Sequence, residues 1–355
     1  MAHGQWLHEE ALTFVKPPRL REGDTVAVLS PSWGGPRKFP HVFELGLRNL
    51  ESLFGLKIKE YPTARMDAAL TYANPQLRAE DLNRAFADPE VSAIIASIGG
   101  DDSVRILPFL DTELILAHPK ILMGYSDTTA INLFLNSKGL VTFNGPSVMA
   151  GLANLRHEPP EVTDGIRGTL LDDAREYRPF SVWANNYVEW NTPGYDGETS
   201  EWRPNPGWRV LQGKAPAEGR LVGGCIEVFE FLKGTPFWPA PGFFSGTMLF
   251  FETSEEKPTP NNVKYMLRNY GSMGILDEVS AILLGRARSY TDGEKAELEQ
   301  VLVQVVRGEF GRDDIPIIAN MDFGHTEPQW VIPLGVQARV DPAAPSFTLL
   351  ESPVV

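Results

Sequence analysis

Basic residues are scarce in this 355-residue chain. Lys and Arg number 32 against 46 Asp and Glu, a formal net charge of −14. Nucleic acid and anionic membrane surfaces need a concentrated basic face, so neither is expected as a partner. A small anionic ligand held by a few local Arg or Lys remains open. Cysteine is almost missing: with Cys225 alone, no internal disulfide can form, and the fold needs no oxidising compartment. The first sixteen residues carry His8, Glu9 and Glu10 in place of a basic segment and an apolar run, and no stretch has membrane-spanning length. A cytoplasmic location is expected. Ser30-Pro31-Ser32-Trp33-Gly34-Gly35 stands where a Gly-x-Gly-x-x-Gly would follow the first strand, and no Walker sequence occurs. Dinucleotide and nucleoside-triphosphate folds are set aside accordingly. Internal repeats and low-complexity tracts are absent.

What is present is an ordinary globular composition, 43% hydrophobic and 22% charged, long enough for two domains with their own cores. Strand signals at 25–30, 56–60, 91–97, 120–123 and 140–143 alternate with helical periodicity at 42–54, 75–87 and 127–136. This alternation predicts an α/β N-terminal domain, a mostly parallel sheet with flanking helices, over 1–160. Ligands of such sheets sit beyond the carboxyl ends of the strands. Three polar turns fall at that edge: the one before Ser103, Gly124-Tyr125-Ser126-Asp127, and Phe143-Asn144-Gly145-Pro146.

Ser103 draws the strongest chemical reading. It follows the apolar run 91–96 and the Gly99-Gly100 pair, and it opens a helical pattern of Val104, Ile106, Leu107 and Leu110. A serine at a strand-to-helix turn exposes its hydroxyl beside free N–H groups and a positive dipole end, the logic of a nucleophile elbow. The usual Gly-x-Ser-x-Gly spelling is missing, and an N-cap serine after a glycine turn fits the same residues.

Over 161–215 periodicity gives way to Pro, Gly, Asn and aromatics, with Trp183, Trp190, Trp202 and Trp208 inside. A linker and flap is expected there, its tryptophans packed on their own domain or stacked on a ring-bearing ligand. Regular elements resume over 216–355, where a β-rich α+β C-terminal domain is expected. Glu252 ends the apolar run Met248-Leu249-Phe250-Phe251, where a carboxylate needs a partner. His325 follows another apolar strand, and the other histidines look peripheral. A serine nucleophile needs a base, and the base a carboxylate to fix its tautomer. Cys225, without a nearby His or basic flank, is a poor rival nucleophile.

Lys16-Pro17-Pro18-Arg19-Leu20, Gly99-Gly100-Asp101-Asp102-Ser103, Gly124-Tyr125-Ser126-Asp127, Gly223-Gly224, Leu249-Phe250-Phe251-Glu252 and Gly324-His325 occur in that order. Together they resemble the LD-carboxypeptidase family of serine peptidases, and particularly its microcin C self-immunity (MccF-like) branch, from about residue 16 to about residue 336. The resemblance implies a triad of Ser103, His325 and Glu252, a cleft between two domains, and a homodimer. It implies no metal and no cofactor, and neither His-Glu-x-x-His nor clustered cysteines occur. Two departures touch the pocket: Cys225-Ile226-Glu227 stands where many members have Asn-Leu after the glycine pair, and Thr253 follows Glu252 in place of Asp. The expected oxyanion donors are Gly100 and Val104, and the expected substrate contacts are Tyr125, Ser126, Trp202, Trp208 and Glu227. The activity so implied is amide hydrolysis through an acyl-enzyme, on a peptidyl- or aminoacyl-nucleotide. Muropeptide trimming by an LD-carboxypeptidase is the alternative, and a non-catalytic two-lobed binding protein the alternative from another class.

Overall fold

Runs such as Val26-Ala27-Val28-Leu29 and Ile94-Ile95-Ala96 carry apolar residues without alternation, the pattern of strands covered on both faces. In the computed structural model, which describes residues 12–355, both runs are buried. Strands β1 (Thr25–Leu29), β2 (Lys57–Glu60), β3 (Val91–Ala96), β4 (Ile121–Met123) and β5 (Thr142–Asn144) pair in parallel, in the order β5-β4-β3-β1-β2. The helices between them begin and end where local chemistry dictates. Pro40–Phe54 stops at Gly55, whose left-handed conformation closes the last turn. Pro75–Ala87 starts on a proline, which lacks the N–H that would go unpaired there. Thr129–Ser137 is buried on almost every side, because it lies between the two sheets.

The second sheet has a parallel core of β6 (Ala217–Cys225), β7 (Thr247–Glu252), β8 (Ala281–Gly285) and β9 (Ile317–Met321). Antiparallel strands extend it on both sides: Gln337–Asp341, Ser346–Leu349 and Glu176–Tyr177 beyond β6, and Arg209–Gln212 beyond β9. The tryptophan-rich segment therefore supplies both outer strands of this sheet and a small ribbon, Val182–Trp183 with Arg203–Pro204. The chain also crosses back. Ile332–Leu334 pairs antiparallel with β5, adding a sixth strand to the first sheet.

One sequence expectation fails locally. The helical pattern opening at Ser103 is a short 3₁₀ turn, Ser103–Phe109, interrupted by Pro108. Proline cannot donate to a helical ladder, and the segment stays in tighter 3₁₀ turns instead of winding into an α-helix. Ser103 consequently has no α-helix behind it.

Candidate active site

The carboxyl ends of the strands from both sheets open onto one cleft of about 430 Å³, within the size range of small-molecule sites. Trp33, Lys38 and Phe39 line it after β1, Gly99 and Gly100 after β3, and Tyr125 and Ser126 after β4. Glu255 enters after β7, Arg288 after β8 and His325 after β9, while 187–191 closes one side.

Ser126 sits at the sharpest point of this wall. It has φ 57°, one of five positive values among the described residues other than glycine. β4 runs straight into it, and Ser126–Thr128 winds into the helix Thr129–Ser137 behind. That is the strand–elbow–helix geometry expected at Ser103, found 23 residues further on. The elbow is clamped from inside by Asp127, whose buried Oδ2 accepts from Ser32 Oγ (2.6 Å), Ser103 N–H (2.7 Å) and Asp102 N–H (3.1 Å). Burial raises the Asp127 pKa against these bonds.

Ser103 belongs to the clamp and faces away from the cleft. Its side chain is fully buried, lines no part of the cleft, and donates from Oγ to the Asp127 carbonyl at 2.7 Å. The elbow geometry expected of it is found at Ser126. Val104, which follows it, is likewise absent from the lining, whereas Gly100 is part of it. Gly100 has φ 155°, and a Cβ there would meet Ser32 Oγ at 2.2 Å. Gly99 packs against the elbow, with Ser126 Oγ 3.1 Å and Asp127 N 3.4 Å from where its Cβ would be. Arg78 fixes this turn: fully buried, it holds Asp102 through two bonds of 2.7 and 3.0 Å and donates to the carbonyls of Pro31 and Ser32.

His325 and Glu252 do meet. His325 Nδ1 lies 2.6 Å from Glu252 Oε2, and both side chains are nearly inaccessible. Glu252 is delivered by the last residue of β7, in register with Cys225 on β6. The loop carrying His325 approaches so closely that a Cβ on Gly324, at φ 105°, would stand 2.9 Å from Glu252 Cβ. A buried network sets the loop itself. Asp322 accepts from Arg286 (2.6 Å), Asn205 (2.7 Å) and the Trp208 indole (2.7 Å). Burial disfavours the imidazolium of His325, but Glu252 and then Glu255 outweigh it and push its pKa up to about 10. Glu252 is itself raised by burial, with His325 opposing. Nε2, itself buried, lies 3.1 Å from Glu255 Oε2 without making a hydrogen bond there.

The remaining expected contacts divide. Tyr125 lines the cleft, its ring 4.9 Å from that of His325 and its hydroxyl 3.2 Å from Tyr187's. Glu227 does not line it. Its Oε1 accepts from Ser254 N–H (2.9 Å) and Ser254 Oγ (2.6 Å), which fixes the loop after β7. Trp202 and Trp208 also fall outside the lining. Trp208 packs edge-on to Trp330 while its N–H holds Asp322. The cleft's tryptophans are Trp190, which meets Phe39 at 5.3 Å, and Trp33, 6.3 Å from Phe39. Two signals could have found these residues. Gly124-x-Ser126 is the first half of the elbow spelling, directly after an apolar strand, with Thr128 in place of the second glycine. Trp33 and Phe39 follow the first strand at the ligand-binding edge.

Two α/β layers meeting at a cleft that holds an elbow serine and a carboxylate-bound histidine define a serine-hydrolase architecture. Residues 26–145 match the LD-carboxypeptidase N-terminal domain, and 218–340 match the LD-carboxypeptidase C-terminal domain. The chain belongs to the LD-carboxypeptidase family, a family of serine peptidases, and is an enzyme of that class. It is 31% identical over 276 residues to the microcin C7 self-immunity protein MccF of Escherichia coli, covering 74% of this chain and 75% of that one. It is 29% identical over 333 residues to a probable murein peptide carboxypeptidase of Bacillus subtilis, 92% of each chain. Among solved structures, an MccF-like protein from Streptococcus pneumoniae in complex with AMP superposes with a TM-score of 0.82 at 29% identity, covering 92% of this chain and 98% of the other. MccF in complex with glutamyl sulfamoyl guanosine does so at 0.80 and 25%, covering 96% and 99%. No helix among the described residues is long and apolar enough to cross a membrane.

Proposed function

We propose that this enzyme hydrolyses the amide-type bond of aminoacyl- or peptidyl-nucleotides, with Ser126 as nucleophile, His325 as base and Glu252 as the group that orients the base. The observation that carries the assignment is the strained backbone of Ser126, in the same cleft as a histidine whose far nitrogen is held by a buried glutamate. Ser126 Oγ attacks the substrate carbonyl while His325 Nε2 takes its proton. Glu252 holds Nδ1–H and stabilises the imidazolium. The N–H of Asp127, which follows the nucleophile, and that of Gly100 receive the oxyanion. Val104 has no part in this scheme. Collapse of the tetrahedral intermediate expels the nitrogen leaving group, which takes the proton from His325. Water, activated by the same histidine, then releases the acyl group from Ser126.

The nucleotide half of the reading rests on the cleft's own wall. Trp33, Phe39 and Trp190 offer flat apolar surface to a base, and Lys38 and Arg288 offer charge to a phosphate or sulfamate. AMP and aminoacyl-sulfamoyl nucleosides are bound by structural neighbours. A murein carboxypeptidase role has the B. subtilis relative in its favour, but it makes no use of those rings.

Fluorophosphonate labelling of the wild type, Ser126→Ala and Ser103→Ala tests the nucleophile. Label is expected on Ser126, lost in Ser126→Ala and retained in Ser103→Ala. Label retained in Ser126→Ala and lost in Ser103→Ala would overturn the assignment. Mass spectrometry of reactions with an aminoacyl-sulfamoyl adenosine and a murein tetrapeptide tests the substrate. Faster cleavage of the tetrapeptide would reverse the choice.

A further inference from the structure

Among the described residues, Glu255 is the one charged group that touches Nε2 of His325, and catalysis as described above leaves it without a task. Its carboxylate stands 3.1 Å from Nε2, yet makes no hydrogen bond there. Half of its side chain is open to the cleft, with a relative exposure of 52%. The loop beneath it is fixed independently, because Glu227 holds both the N–H and the hydroxyl of Ser254. The backbone is therefore anchored while the Glu255 carboxylate can swing.

A carboxylate 3.1 Å from Nε2 competes with Ser126 for that nitrogen and favours its protonated form. A substrate group that competes for Glu255 would clear that approach, and a cation competes most strongly because it offers the carboxylate charge-assisted hydrogen bonds. Geometry says where that cation lies. In an attack-ready complex the carbonyl carbon is about 3–3.5 Å from the nucleophile. The α-nitrogen of an aminoacyl group is about 2.5 Å further, two bonds away. An α-ammonium would therefore lie within roughly 6 Å of Ser126 Oγ, inside the cleft whose wall also carries Glu255 beside His325.

We propose that Glu255 recognises the free α-ammonium of the acyl residue, and that its carboxylate leaves His325 for that cation when substrate enters, freeing Nε2 to act as base. The proposal rests on Ser126 and His325 having the roles assigned above. It names the substrate class more narrowly: acyl groups with an unblocked N-terminus. Glu255 is thus a specificity residue by its contact with substrate and a positioning residue by its contact with His325.

The proton affinities agree with this exchange. Glu255 is held down to about 2, chiefly by its contact with His325 and against the penalty of burial. Besides Glu255, the groups that bear on His325 are Glu252 at the end of β7, the Tyr125 ring from the elbow, and Glu327 from its own loop. Arg288 faces Glu255 and is stacked over Tyr187 at 3.9 Å. Removing the Glu255 charge therefore lowers the His325 pKa, and so does drawing that charge to a ligand cation.

The test uses the rate of fluorophosphonate labelling of Ser126 in the full-length enzyme, which needs no substrate assignment. Three ligands compete with the label: L-alaninamide with its α-ammonium, N-acetyl-L-lysinamide with a side-chain ammonium only, and N-acetyl-L-alaninamide with neither. In the wild type L-alaninamide is expected to protect at least tenfold better than either acetylated amide. That preference should vanish in Glu255→Gln and survive in Glu255→Asp. The pH at which wild-type labelling reaches half its maximum should fall by a unit or more in Glu255→Gln. A preference unchanged in Glu255→Gln overturns recognition, and N-acetyl-L-lysinamide protecting as well as L-alaninamide overturns the α-position. An unshifted pH profile overturns the coupling to His325. Absence of any label on wild-type Ser126 would instead refute the nucleophile reading on which the proposal stands.

Discussion

At φ 57°, Ser126 holds a conformation that costs a non-glycine residue about 1–3 kcal/mol. The surrounding bonds to Asp127 hold the elbow in place. Such strain is characteristic of residues whose exposure matters more than their stability. Ser126→Gly is accordingly expected to be inactive yet at least as stable as the parent, by up to about 1 kcal/mol in urea unfolding. Ser103→Ala should do the reverse, losing about 1 kcal/mol with one hydrogen bond while keeping a measurable rate. A Ser126→Gly protein clearly less stable than wild type would argue against strain at the elbow.

His325 carries a linked expectation for pH. Its pKa is raised from 6.5 to about 10, with burial opposing and Glu252 and Glu255 prevailing. A raised value means that folding stabilises the protonated form. The contribution is therefore fully present below about pH 6.5 and lost as pH rises toward 10. The stability gap between wild type and His325→Asn should narrow over that interval in urea titrations; a constant gap would show that the pair does not titrate there. With His325 as the proposed base the catalytic sign is opposite, since only neutral imidazole takes a proton, so kcat/KM should rise over the same range.

Among the elements, the loops rather than the sheets decide what the site can do, and buried ion pairs set the loops. Arg78–Asp102 ties the glycine turn to the helix Pro75–Ala87 and the turn after β1, and Arg286–Asp322 sets the segment that carries His325. Removing one partner of such a pair costs about 3–5 kcal/mol when the other charge is left alone; Arg105 also reaches Asp102 at 2.8 Å, so Arg78→Ala should destabilise by less than that. The tryptophans separate by the same logic. Trp208 supports the His325 loop through Asp322, whereas Trp190 lines the cleft. Trp190→Ala is expected to weaken binding of an aminoacyl-adenylate analogue about tenfold, in line with roughly 1–3 kcal/mol per stacked base. Trp208→Phe should leave that affinity nearly unchanged and lower kcat and the thermal midpoint. Calorimetric binding to both variants checks this, and equal losses would remove the distinction.

Over the whole molecule, the return of Ile332–Leu334 to the first sheet matters most. Ile332 and Leu334 are fully buried, and each of the two large apolar clusters draws on residues of both sheets. The helix Thr129–Ser137, which follows the elbow, lies between them, and Thr129 Oγ1 accepts from Cys225 N–H on β6 at 3.1 Å. Folding of one sheet therefore depends on the other. A single calorimetric transition is expected, with equal van't Hoff and calorimetric enthalpies. Two resolved transitions would contradict it.

Much of this was legible in the sequence because it depends on neighbours along the chain. Alternating apolar runs and helical periods located β1 to β5 close to their observed bounds, and Pro75 marked its helix start to the residue. Glu252 and His325 were legible because a carboxylate closing an apolar strand, and one histidine near another, have few uses apart from each other. Other features depend on groups distant in the chain, and only the tertiary structure decided those. Ser103 and Ser126 both follow a strand and a glycine, and nothing local distinguishes them. Asp127 does so, by drawing Ser103 inward and leaving Ser126 at the surface of the cleft. Trp208 and Trp190 are likewise alike in sequence and differ because Asp322 lies beneath one and the cleft beside the other. Backbone periodicity is set by the next few residues, but the direction a polar side chain faces is set by its partner, 24 residues away for Ser103 and 114 for Trp208.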